Sequence, residues 1–289
     1  MFPGKFEYSA PSTLDGVLDT LAEHGDEAKV LAGGQSLIPL LKLRFAAPAL
    51  LVDLRHLDGL VGIEESDGWL HIGARTTHNQ LGSSDLVGRR HHLVAAAAPL
   101  IADPLVRNMG TIGGSLVHAD PQADWASVLL ALEGEVVVRS TAGERVIPAA
   151  GLLAGPFETT LDPTELLVEV RVPVPAGPSG GAYLKLERKV GDFATVATGV
   201  HLELGNGTIA KAGIGLTAVG PSNIKAVDAE RSLAGAEPTP EAFANAADLA
   251  AQAAEPSDDT RGSAEYKRAV VRAYVRRGLE RALELARAA

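Results

Sequence analysis

The 289-residue chain contains no cysteine. That absence excludes disulfides, thiolate nucleophiles and any cysteine-ligated zinc site or iron-sulfur cluster on this polypeptide. Aromatic residues are scarce at 4%, whereas hydrophobic residues reach 46%, so the cores are expected to be aliphatic. No apolar run approaches the roughly 18 residues that a membrane span needs. The N-terminal eight residues carry neither a signal-peptide apolar region nor a twin arginine, and a cytoplasmic location is expected. There is no basic block, and a net charge of -10 opposes binding that works by neutralising nucleic-acid phosphates. Charged residues at 21% are near the globular average, which argues against wholesale disorder. The length suits two or three modules of about 100 to 200 residues.

Catalytic signatures are also missing. No G-x-S-x-G elbow and no G-x-x-x-x-G-K-[ST] loop occurs, so hydrolase and P-loop chemistry have no footing. Gly213-Ile214-Gly215-Leu216-Thr217-Ala218 formally matches the dinucleotide fingerprint, but that fingerprint opens a helix and these residues continue a strand. Ser115, His118 and Asp120 are close in sequence, yet a triad is defined by geometry and roles, not by spacing. His91 and His92 would point about 100° apart on a helix, a poor metal pair. They read as surface or capping residues, as do His24, His56, His71 and His78. No catalytic residue and no metal ligand is assigned.

Two glycine motifs are present. Ala32-Gly33-Gly34-Gln35-Ser36 and Thr111-Ile112-Gly113-Gly114-Ser115 each follow a short apolar run. Consecutive glycines let the backbone reach left-handed dihedrals and present bare N–H groups to an anion, and small side chains permit close approach. Either motif alone reads as an ordinary tight turn. Together they point to one elongated, phosphate-bearing cofactor held from two sides, read here as FAD. The shortage of acid-base groups fits a cofactor that supplies the redox chemistry itself. Asp124 is placed either to accept hydrogen bonds from ribose or adenine or to cap a helix. Lys185 is placed either to approach a flavin or to stand as a solvated strand lysine.

Along the chain, Ser12 is expected to cap a helix carrying Leu14, Val17, Leu18 and Leu21, ended by Gly25. Strands over 29–32 and 50–54 flank a helix over 37–45. Asp67-Gly68 signals a hairpin joining 60–64 to 69–74. Helices are expected over 91–102 and 122–132, with strands over 135–140, 144–147 and 166–172. Six prolines and glycines then crowd into residues 173–181, where a domain boundary is placed. The periodicity predicts three antiparallel strands over 182–189, 194–204 and 208–219, then helices over 222–233, 240–255 and 263–287.

These residues resemble the FAD-binding subunit of molybdenum-containing hydroxylases, the family of the carbon monoxide dehydrogenase medium subunit and of the flavin domain of xanthine dehydrogenase. Supporting stretches are Gly73-Ala74-Arg75-Thr76-Thr77, Ala102-Asp103-Pro104-Leu105-Val106-Arg107-Asn108, Ala119-Asp120-Pro121-Gln122-Ala123-Asp124, Arg188-Lys189-Val190-Gly191-Asp192 and Asp259-Thr260-Arg261-Gly262-Ser263-Ala264-Glu265-Tyr266-Lys267. The resemblance covers essentially the whole chain. It implies an α+β fold with a two-part FAD-binding domain of the vanillyl-alcohol-oxidase (PCMH) type over 1–175, its parts about 1–56 and 57–175. A C-terminal flavoprotein domain with a three-stranded antiparallel sheet and helices would occupy 176–289. By the same resemblance, Ala32, Gly33, Gly34, Gln35, Ser36, Thr111, Ile112, Gly113, Gly114 and Ser115 hold the FAD diphosphate. Asp124 sits at the nucleotide end, Lys185 lies near the flavin, and Phe193 stands where the family often has Tyr or Trp beside the isoalloxazine ring. Gln35 occupies a position that is His in carbon monoxide enzymes, which leaves carbon monoxide as one candidate substrate among several.

The implied activity is electron transfer. A large partner subunit would carry molybdopterin, a small one two [2Fe-2S] clusters, and this subunit would pass electrons through FAD to an acceptor such as quinone. The assembly would be a dimer of heterotrimers, a heterohexamer that could sit at the inner face of the membrane. The alternatives are a self-contained FAD oxidoreductase of the vanillyl-alcohol-oxidase superfamily and a non-enzymatic assembly subunit.

Overall fold

The computed structural model describes residues 2–288. A first layer contains β1 (Glu7–Ser9), α1 (Leu14–His24), β2 (Ala28–Leu31), α2 (Leu37–Leu43) and β3 (Leu50–Asp53). Its strands are parallel, in the order β1-β3-β2. Thr13, not Ser12, caps α1: its backbone is extended and its hydroxyl accepts the Gly16 N–H at 3.1 Å. Helical spacing puts Val17, Leu18 and Leu21 on one buried face, against Val52 and Leu54.

The second layer contains β4 (Ile63–Ser66), β5 (Trp69–Gly73), α3 (His78–Gly82), α4 (Asp85–Arg90), α5 (His92–Ala97), α6 (Pro104–Met109), α7 (Ile112–His118), α8 (Asp124–Leu132), β6 (Glu135–Ser140), β7 (Gly143–Pro148), β8 (Leu153–Gly155), β9 (Glu158–Thr159) and β10 (Leu166–Pro173). Five strands form an antiparallel sheet in the order β4-β5-β10-β6-β7, and β8 and β9 make a separate hairpin. Asp67 and Gly68 both have positive φ, as the two-residue turn between β4 and β5 requires. Val137, Leu166 and Val168 reach into the first layer's core and join the two layers.

The helix expected over 91–102 is interrupted. His91 has φ -140 and ψ 85, which separates α4 from α5, and the segment Ala98–Leu100 tightens into a 3-10 turn at Pro99. The second glycine motif also differs from expectation, because it opens a helix. Thr111 is the cap of α7, its hydroxyl accepting the Gly114 N–H at 3.1 Å. Each helical glycine costs about 1 kcal/mol relative to alanine, so this stretch reads as a turn until the cap and the packing of Gly113 on Ala74 are seen.

The third part contains β11 (Ser179–Leu186), β12 (Val196–Gly205), β13 (Thr208–Thr217), β14 (Ile224–Lys225), α9 (Val227–Leu233), α10 (Pro240–Ala253) and α11 (Ala264–Ala288). Its antiparallel sheet has the three expected long strands, and the two-residue β14 adds a fourth by pairing with Gly215 and Leu216. Val271, Val275, Leu279 and Ala282 of α11 pack in one core with Val200, Leu202, Ile214 and Leu216 of the sheet. Helix α8 also lies against β13. A β-carbon at Gly213 would fall 1.7 Å from the Ala131 carbonyl oxygen, and one at Gly215 would fall 1.9 Å from that of Ser127. The apparent dinucleotide fingerprint is therefore a strand stripped of side chains so that a helix can lie against it.

Candidate functional site

A cleft of about 360 Å³ opens where the three parts meet, a volume in the range of small-molecule sites. The two glycine motifs, distant in sequence, form adjoining walls. A β-carbon at Gly33 would lie 2.1 Å from the Met109 carbonyl oxygen, and one at Gly114 would lie 3.9 Å from the Ala32 side chain. The motifs therefore converge.

Their roles are unequal. In the first motif, the N–H groups of Gly33, Gly34, Gln35 and Ser36 have no protein acceptor among the described residues. Gly34 has φ +71, a left-handed conformation that lets successive N–H groups form an anion-binding concavity. The exposed Gln35 donates back through Nε2 to the Gly33 carbonyl at 3.3 Å, bracing the loop.

In the second motif four of the five expected bare N–H groups are already bonded, and only that of Thr111 has no protein acceptor among the described residues. Ile112 and Gly113 donate to Thr76 and Ala74 carbonyls at 3.0 Å, Gly114 to the Thr111 hydroxyl, and Ser115 to the Thr111 carbonyl at 3.0 Å. Helix capping and contact with the 74–76 segment use them. Ile112 is 3% exposed, belongs to the core and does not line the cleft. Thr111, Gly113, Gly114 and Ser115 do line it. The glycines of the two motifs also serve a different contact from the one expected. At Gly33 and Gly113 the missing β-carbon lets protein meet protein, whereas Gly114 is exposed.

Asp124 and Lys185 do not occupy two ends of the cleft. Lys185 Nζ donates to Asp124 Oδ2 at 3.0 Å and to the Leu100 carbonyl at 3.0 Å, and Tyr183 Oη donates to Asp124 Oδ1 at 2.7 Å. Side chains 2% and 6% exposed make this a buried ion pair, formed where the side chains of Lys185 and Tyr183 on β11 reach the first residue of α8. Burial raises the Asp124 pKa above the usual carboxylate value, against the pull of the Lys185 ammonium and the Tyr183 hydroxyl. Both carboxylate oxygens are engaged by protein. The polar seam continues from Ser127 to Thr217 at 2.6 Å and from Thr217 to Asn223 at 3.0 Å, tying α8 to the third part.

Phe193 lies in the same quarter, 48% exposed and lining the cleft. Its loop is held from both sides. Gly191 packs on the Ala102 carbonyl, and Arg261 donates to the Phe193 carbonyl at 2.6 Å while pairing with Asp192 at 3.4 Å. Lys267 holds the Arg261 turn in place by donating to Asp259 at 2.7 Å and to the Ser257 carbonyl at 2.9 Å. The run from Asp259 to Lys267 thus acts at a distance, through Arg261.

Several lining residues carry no prior sequence assignment. His118 and Phe157 contact each other with ring centroids 5.4 Å apart, and Arg75 donates to the Leu57 carbonyl at 2.8 Å. His78, read from sequence as a surface or capping residue, is buried at 4% exposure, as is His91 at 2%. The Thr77-x-x-Gln80 capping box does place His78 at the start of α3. Its burial beside Trp125 comes from tertiary packing alone. No group of metal-ligating side chains occurs among the described residues.

A cleft floored by free peptide N–H groups, walled by small and apolar residues and supplied with few acid-base groups defines a protein that binds a nucleotide cofactor. The family follows from comparison with known proteins. Residues 4–175 match the FAD binding domain in molybdopterin dehydrogenase, and residues 181–282 match the CO dehydrogenase flavoprotein C-terminal domain. The carbon monoxide dehydrogenase medium chain of Hydrogenophaga pseudoflava is 42% identical over 98% of both chains. Subunit alpha of the 6-hydroxypseudooxynicotine dehydrogenase complex of Paenarthrobacter nicotinovorans is 40% identical over 99% of this chain and 97% of its own. A solved structure of the Hydrogenophaga pseudoflava carbon monoxide dehydrogenase superposes with a TM-score of 0.95 at 43% identity, over 98% of this chain and 99% of that one. The chain belongs to the family of FAD-binding medium subunits of molybdenum hydroxylases and is an oxidoreductase subunit with FAD as its cofactor. The unpaired N–H groups of residues 33–36 suit an anionic diphosphate, so the donor set fits the cofactor.

Proposed function

We propose that this chain carries electrons from iron-sulfur clusters on a small partner subunit, through FAD, to an external acceptor such as quinone, while a large partner subunit oxidises the substrate at molybdopterin. The convergence of the two glycine motifs on one cleft, in a chain with no cysteine for clusters of its own, carries this reading. Bound FAD supplies the capacity to accept and release electrons singly or in pairs. In this proposal residues 32–36 hold the diphosphate by backbone donation, and Thr111, Gly113, Gly114 and Ser115 shape the facing wall. The Asp124–Lys185 pair fixes the seam between α8 and β11, and Phe193 offers an apolar face to the ring system. We place the FAD-binding domain at 1–175, in parts of about 1–56 and 57–175, and the C-terminal flavoprotein domain at 176–289. The partners are arranged as a dimer of heterotrimers.

Carbon monoxide is one candidate substrate and a hydroxylated N-heterocycle such as the Paenarthrobacter enzyme's is another. Identities of 42% and 40% to the two relatives do not separate them. The test is purification of the native assembly, identification of its partner chains and a substrate screen for bleaching of the flavin absorbance. The isolated chain should take up one FAD per chain yet stay oxidised with every substrate that bleaches the assembly. Rapid substrate-dependent reduction of the isolated chain would replace this reading with a self-contained oxidoreductase, and a chain that ignores added FAD would end it.

A further inference from the structure

His78 is 4% exposed and lines the cleft, yet only one of its ring nitrogens has a protein partner. The Trp125 indole N–H donates to His78 Nδ1 at 2.9 Å in a buried contact. Indole nitrogen is solely a donor, so Nδ1 must be the acceptor, and a neutral imidazole then carries its proton on Nε2. Burial, reinforced by the nearby Arg107, holds the His78 pKa down to about 4, so the ring is neutral at physiological pH.

Nε2 makes no hydrogen bond among the described residues, and it is absent from the buried unpartnered polar atoms that include His71 Nε2 and both His91 nitrogens. It is therefore reachable from the cleft. Its location is defined by Gly110, where a β-carbon would lie 2.8 Å from Nε2. Gly110, the residue before the second motif, also touches the first, since a β-carbon at Gly33 would lie 2.9 Å from the Gly110 Cα. The N–H groups of Ile112, Gly113, Gly114 and Ser115 are all bonded to protein, so the backbone of the second motif offers this junction only the N–H of Thr111, which has no protein acceptor among the described residues.

We propose that His78, with its tautomer locked by Trp125, supplies a side-chain donor there: its Nε2–H hydrogen-bonds a diphosphate oxygen of FAD, facing the peptide N–H groups of residues 33–36. The inference rests on the FAD reading and adds to it a positioning residue that holds a neutral donor through the pH range in which an ordinary histidine titrates.

The test uses the full chain. Nitrogen NMR of histidine-labelled, flavin-free protein should show Nδ1 of His78 unprotonated and Nε2 protonated, assigned by its loss in His78→Phe. The opposite tautomer would overturn the proposal independently of any ligand. Affinity is then measured for FAD, ADP and adenosine with wild type and His78→Phe, folding being verified by circular dichroism. A hydrogen bond to a charged acceptor predicts a loss of about 10- to 100-fold for FAD and ADP, and none for adenosine, which has no phosphate. Trp125→Phe keeps the histidine while releasing its tautomer, and should weaken FAD and ADP by about 3-fold, again sparing adenosine. Equal affinities in wild type and His78→Phe, or a loss that extends to adenosine, would refute the role of His78 while leaving the FAD reading intact. Failure of wild type to bind FAD would strike the FAD reading itself.

Discussion

Histidine in this chain is governed by what surrounds it. His91 is 2% exposed with neither ring nitrogen bonded, and burial, with His201 nearby, holds its pKa down to about 3. Because the folded value lies below the ordinary 6.5, the unfolded chain binds the proton first as pH falls. Stability contributed by the neutral ring is complete above about pH 6.5 and is lost progressively toward pH 3, on the order of 2 kcal/mol by pH 5. His78 adds a loss of the same sign between pH 6.5 and about 4. Replacing His91 with leucine removes two unsatisfied buried nitrogens. It should leave the protein at least as stable at pH 7 and more stable than wild type by about 2 kcal/mol at pH 5, read from urea denaturation at both pH values. An unchanged pH dependence would show that His91 is not the source.

At the scale of elements, the contact between the loop after β2 and the end of α6 depends on missing side chains. Gly33→Val would drive a side chain into the Met109 carbonyl, 2.1 Å from the new β-carbon, and the two walls of the cleft would have to separate. Gly114→Ala meets no backbone, only the Thr111 hydroxyl at 2.8 Å, which has to shift within the cap of α7, and the Ala32 side chain at 3.9 Å. We expect Gly33→Val to abolish FAD retention through gel filtration and to lower stability by about 1 to 3 kcal/mol, as overpacking does. Gly114→Ala should keep the fold, with a stability cost of no more than about 1 kcal/mol from the disturbed cap, and weaken FAD binding without abolishing it. Equal retention by both variants would mean that the junction at Gly33 does not shape the site. The same logic explains Gly213 and Gly215, whose resemblance to a phosphate-binding fingerprint arises from helix α8 lying on β13.

For the whole molecule, the decisive feature is that the cleft has walls from all three parts. The Asp124–Lys185 pair and the Ser127–Thr217–Asn223 chain of hydrogen bonds join α8 to the C-terminal sheet, while Arg261 reaches from the turn before α11 to the Phe193 carbonyl. Lys185→Met leaves a buried carboxylate with only Tyr183 to satisfy it, which costs about 3 to 5 kcal/mol. The expected outcome is a lower midpoint in guanidinium and loss of FAD. Adding Asp124→Asn in the same chain should recover part of the stability, because the uncompensated charge is removed. No recovery would indicate that packing, not charge, dominates the seam. No helix of the described residues is long and apolar enough to cross a membrane.

Local rules made much of the architecture legible. The alternation of apolar residues, the Asp67-Gly68 turn and the helix end at Gly25 act within a few residues, so strands, hairpins and most helices follow from such signals. The glycine motifs and the zero cysteine count likewise pointed to a phosphate-bearing cofactor with clusters held elsewhere. Tertiary structure decided the rest. It turned the second glycine motif from a loop into a capped helix, moved Ile112 into the core, and joined Asp124 to Lys185. It also buried His78 beneath Trp125 with one nitrogen left for the cleft. Each of these outcomes depends on which residues meet across tens of positions in the chain, and local propensity carries no information about that meeting: burial and hydrogen-bond satisfaction are properties of the packed assembly.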